Sequence, residues 1–148
     1  MFGHPLHPAL AHFPIALLLS ATTADVAWLA GVTSDTHIGA VLMAGGLIMA
    51  LLAMGAGLAD FAALEDAVVP HALRHISAAG LAWLGYGIAL YLRSGSLFGT
   101  ANLNTPSIAV SLVSALILAL AGWLGGRLVY SFGAGVSKRA PETRLGPQ

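Results

Sequence analysis

The chain has 148 residues, 57% hydrophobic and 8% charged, with no cysteine and a mean hydropathy of +0.85. An ordinary soluble domain carries about 25% charged residues, so six basic and six acidic side chains cannot cover a water-facing surface of this size. Disulfides, iron–sulfur ligation and thiolate metal sites are excluded, and a formal net charge of zero implies no nucleic-acid partner.

Four apolar runs are each long enough to cross a bilayer, which takes roughly 20 residues. The pattern predicts an all-α fold, an integral membrane four-helix bundle with antiparallel, up-down-up-down order. One four-helix domain is expected over residues 1–136, with a flexible cytoplasmic tail over 137–148. No Lys or Arg precedes the first run, and Pro14 and Asp25 interrupt it, so it is expected to be kept rather than removed as a signal peptide.

Helix 1 is predicted over residues 9–30, opened at Pro8 or Ala9. Pro14 lies inside it and crowds the carbonyl of Leu10, which predicts a bend near His12. A short turn from Gly31 to His37 leads to helix 2 over 38–61. Leu64 to Val69 form the next connection, and Pro70 opens helix 3 over 70–92. Arg93 to Thr105 read as a polar loop, before helix 4 over 106–131, which Gly133 and Gly135 close. Four spans put both termini on one side. That side carries Arg74, Arg127, Lys138, Arg139 and Arg144, against Arg93 alone on the other, so the positive-inside rule makes both termini cytoplasmic. Small-xxx-small pairs at Gly46/Ala50, Ala53/Gly57, Ser107/Ser111/Ala115/Ala119 and Gly122/Gly126 supply close-packing faces, for the bundle and for a possible homodimer.

Five of the six histidines gather near two helix ends on the cytoplasmic side: His4, His7 and His12, then His71 and His75. His71 and His75, four apart, project from one helix face. Ala78, Ala79 and Ala82 follow on helix 3, while Gly57, Ala56 and Ala53 follow from Asp60 on helix 2. Small residues there either allow close packing or leave a slot for a flat cofactor with imidazoles at its mouth. Haem iron takes axial histidine, and bundle cores build such sites from facing helices.

His12 and His71 are the expected axial pair; His7 and His75 are candidates for a second haem or an adjacent metal. His4 and His7 lie among prolines that deny regular helix, so they are expected to fold back over the bundle end. Arg74 and Arg127 are placed to hold haem propionates. Asp60 either fixes an imidazole tautomer or pairs with Arg127. Asp25, with no second acid or base expected at its depth, reads as structural, and His37 as a solvated loop residue. There is no Gly-rich phosphate loop, His-Glu-x-x-His or Gly-x-Ser-x-Gly.

His4-Pro5-Leu6-His7-Pro8 with His12-Phe13-Pro14 resembles the opening signature of a bacterial four-helix membrane family, domain of unknown function 2231. Gly57-Leu58-Ala59-Asp60-Phe61 is similar to its helix-2 ending, His71-Ala72-Leu73 to its helix-3 opening, and Gly122 to Tyr130 to its helix-4 close. The resemblance covers nearly the whole chain and implies a multi-pass protein of the bacterial inner membrane. Some relatives are joined to Rieske-type or cytochrome-c-type modules, which implies electron transfer by association.

The expected function is a b-type haem protein moving electrons at or across the bilayer, with a redox partner protein and no assigned catalytic residue. The alternatives are a zinc, copper or iron site for sensing or transport, built from His4, His7, His12, Asp60, His71 and His75, or an assembly protein without cofactor.

Overall fold

In the computed structural model, which describes residues 6–62, 64–94 and 102–134, four helices carry nearly all of the described chain. They are α1 (Leu6–Leu29), α2 (His37–Phe61), α3 (Val69–Ser94) and α4 (Thr105–Phe132), with no strand among the described residues. His4, Gly135, the tail and most of the loop expected after Arg93 lie outside those residues.

The helix ends follow local chemistry. α1 starts at Leu6, earlier than the prolines led one to expect. Pro8 falls in its first turn, where the missing N–H has no helical partner in any case. His7 is therefore helical, which corrects its expected place in a folded-back segment. The Asn104 side chain caps α4 by accepting from Ser107 N–H at 2.9 Å. Gly133 closes the same helix at φ +64, a left-handed position that glycine fills without strain. α3 runs on through Arg93, so this residue belongs to a membrane span rather than to a loop.

Contacts order the helices. Along α1, His7, Leu18 and Asp25 meet Gly57, Gly46 and Gly39 of α2, so the two run in opposite directions. His75 and Gly85 of α3 meet Gly125 and Ser114 of α4 in the same antiparallel sense. α1 and α3 run parallel, joined at His7–His75, Thr22–Tyr86 and Asp25–Arg93.

The surface is apolar and part of the core is polar. All four helices have the length and hydropathy to cross a membrane. Leu51, Leu52, Leu81, Leu84, Leu116 and Leu120 are among the large apolar residues facing outward. Thr22, Asp25, Arg93, Ser107, Ser111 and Ser114 are buried. Water as solvent would reverse this; lipid requires it, because polar groups must find partners inside the bundle.

Asp25 and Arg93 are 1% and 0% exposed and form a two-pronged ion pair, with Arg93 Nη1 donating to Asp25 Oδ1 at 2.9 Å and Nη2 donating to Oδ2. A base therefore does stand at the depth of Asp25, because α3 is longer than expected.

The small-residue faces divide. Gly46 and Ala53 are buried, and a Cβ on Gly46 would lie 2.7 Å from Leu18. Gly122 and Gly126 do not make the helix contact expected of them: a Cβ on Gly122 would meet open space and one on Gly126 only its own helix's Tyr130 at 4.0 Å. The inward stripe of α4 passes instead through Ser111, Ser114, Ala121, Gly125 and Leu128, which recur three or four residues apart apart from one two-turn step.

Candidate functional site

At the end of the bundle where α1 and α3 begin, a cavity of about 80 Å³ draws its walls from all four helices. His7 and Ala11 come from α1, Ala53 and Met54 from α2, His75 and Trp83 from α3, and Ala121 and Gly122 from α4. The walls are almost wholly apolar except for the two imidazoles. Their ring centroids lie 6.0 Å apart with planes inclined at 74°.

Each imidazole is fixed the same way. His7 Nδ1 lies 2.7 Å from the carbonyl oxygen of Ala53, and His75 Nδ1 lies 2.9 Å from that of Ala121. A carbonyl oxygen can only accept, so each Nδ1 must carry the proton and donate it. In the neutral ring Nε2 then keeps a lone pair, which is the state a metal ligand needs. Trp83 is anchored beside them, its indole N–H donating to the carbonyl of Leu47 at 3.1 Å.

The expected axial pair is not brought together. His12 is exposed, and its Nδ1 lies 2.7 Å from the Pro8 carbonyl one turn back. His71 packs its ring on Phe132, 4.2 Å between centroids, beside the cluster of Val68, Ala72 and Leu128. Its buried Nδ1 has no hydrogen-bond partner. The i, i+4 spacing put His71 and His75 on one helix face, but His71 reaches a cluster at the mouth while His75 reaches the cavity. Asp60 is exposed and does not line the cavity, and no pair joins it to Arg127. Arg127 lies over the Trp123 ring at 5.1 Å and Arg74 is exposed. His37 is exposed at the start of α2, as expected. Among the described residues no three His, Cys, Asp or Glu side chains cluster as a metal site would require, so the site rests on two imidazoles.

Met54, Trp83 and the carbonyls of Ala53 and Ala121 were not singled out from the sequence. Apolar residues and backbone oxygens carry no signal of their own in an apolar chain.

The family described as predicted membrane protein DUF2231 matches residues 3–138. The chain belongs to that family. No match is found among curated proteins or among solved structures.

Proposed function

We propose that this DUF2231 protein holds a low-coordinate transition-metal ion, copper(I) by chemical class, between His7 and His75, for sensing or transport at the membrane. The observation that carries the reading is the pair of imidazoles 6.0 Å apart, each with Nδ1 committed to a carbonyl. An ion about 2.0–2.1 Å from each Nε2, with roughly 1.1 Å more to each ring centre, puts centroids about 5.5–6.3 Å apart for bent to linear coordination. The observed spacing lies inside that range.

Charge and softness favour copper(I) over zinc. A dication among apolar walls carries a large desolvation penalty, and no carboxylate lines the cavity to offset it. A singly charged ion between two neutral imidazoles carries a far smaller desolvation penalty. Met54 lines the same cavity, and thioether sulfur selects the softer cuprous ion.

Haem b is the second reading, because the same spacing suits two axial imidazoles. Ligand pockets for larger molecules run to about 300–1,000 Å³, against a cavity of about 80 Å³, so the four helices would have to separate to admit the ring. Protein purified in detergent and titrated with copper(I) against a chromophoric chelator should bind one ion per chain. A reducible b-type spectrum in protein from haem-replete cells would replace copper with haem. Binding of neither would overturn both readings.

On this reading the site faces the cytoplasm from the bacterial inner membrane. The residues supporting that orientation are Arg74 and Arg127, both exposed at the His7–His75 end, whereas Arg93 at the far end is buried in its ion pair. Reporter fusions at Gln148 should read as cytoplasmic and insertions near Asn102 as external; the reverse pattern would turn the site to the other face.

A further inference from the structure

The described helices repeat when the numbering is shifted by 68 residues. All five buried residues of α1 (Pro14, Leu18, Ala21, Thr22 and Asp25) fall on buried residues of α3: Ala82, Tyr86, Ala89, Leu90 and Arg93. All four buried residues of α2 (Gly39, Met43, Gly46 and Ala53) fall on buried Ser107, Ser111, Ser114 and Ala121 of α4. The starts of α2 and α4, His37 and Thr105, coincide under the same shift.

Contacts repeat as well as burial. His7 to the Ala53 carbonyl becomes His75 to the Ala121 carbonyl, and Gly57 beside His7 becomes Gly125 beside His75. A Cβ on Gly57 would lie 2.9 Å from His7 Nδ1, and one on Gly125 would lie 3.0 Å from His75 Cε1. The first separation is shorter than packed atoms adopt, and the second is so tight that the His75 ring would have to give way. Gly55, two residues from Gly57 on the same helix, has nothing within 4 Å of such an atom.

We infer that the chain is a duplicated helical hairpin whose copies, α1–α2 and α3–α4, are related by a two-fold axis along the bundle. Each copy contributes one half of the cavity site: an imidazole, a carbonyl that takes its Nδ1 proton, and a glycine four residues on that leaves room for the ring. Gly57 and Gly125 are thus positioning residues. The two half-sites face each other across the axis and take a ligand with two equal coordination positions. This last point rests on the copper reading; the duplication and the glycine seats do not.

The test uses the full chain in detergent micelles, free of metal, with histidine labelled by nitrogen-15. Ring nitrogen shifts should report the Nδ1–H tautomer for both His7 and His75. Gly57→Ala should alter the His7 signals alone, Gly125→Ala the His75 signals alone, and Gly55→Ala neither. Copper(I) affinity should fall by a similar factor, about 10-fold or more, in the two seat variants and hold in Gly55→Ala. An Nε2–H tautomer in the unmodified chain would overturn the seats, whether or not the variants fold. A large loss in one seat variant with none in the other would overturn the equivalence of the halves. Correct tautomers in a protein that binds no metal would sustain the duplication and sink the copper reading.

Discussion

Replacing either His7 or His75 by alanine should lower copper(I) affinity at least about 100-fold, the upper end of what loss of a supporting group alone produces. Each removes one of two ligands, and the cavity walls offer no third imidazole or carboxylate in its place. His12→Ala should change affinity by less than about twofold, because His12 is exposed and its ring is occupied with the Pro8 carbonyl. His71→Ala should act on stability instead, through its packing on Phe132. Chelator competition on the purified variants, with melting temperatures alongside, separates the two effects. Equal losses for His12→Ala and His7→Ala would remove the site from the cavity.

Arg93→Met should destabilise the bundle by roughly 3–5 kcal/mol, the range for breaking a buried pair and leaving one charge without its partner. Asp25 would then stand without its partner in a protein interior where it is 1% exposed, with Gly39 so close that even a methyl group would overlap the carboxyl group. The double variant Asp25→Leu/Arg93→Met should recover most of the loss, since two apolar side chains need no partner. Thermal unfolding in detergent measures both. A single variant as stable as the parent would mean that the pair is solvated, and that α3 ends before Arg93.

Four spans, their order and the gathering of histidines at one end were legible in the sequence because they rest on composition and long apolar runs. The choice of histidines was not. His12 sits on a helix as expected, but at about 100° per residue it lies two positions before buried Pro14 and so off the inward face, whereas His7, seven positions before Pro14, shares that face. Because α1 already begins at Leu6, His7 is helical and joins that inward face, while His12 is exposed. Arg93 was missed for a related reason: one basic residue after an apolar run reads as the end of a span. Only a partner 68 positions earlier, Asp25, marks it as interior. The recurrence of His, Ala and Gly at that same shift was present in the sequence, but within helices of Ala, Gly and Leu three matches do not stand out.

The Asp25–Arg93 pair also bears on how the two halves recognise each other. Positions 25 and 93 correspond under the duplication and meet at the axis, so two copies of the first hairpin would confront carboxylate with carboxylate. Two copies of the second would confront guanidinium with guanidinium. In the absence of water neither encounter can be screened. Only one hairpin of each kind neutralises the contact. Fusion into a single chain therefore allowed opposite charges to be written into equivalent places, which a self-pairing hairpin could never hold, and it fixed the stoichiometry of the halves at one to one.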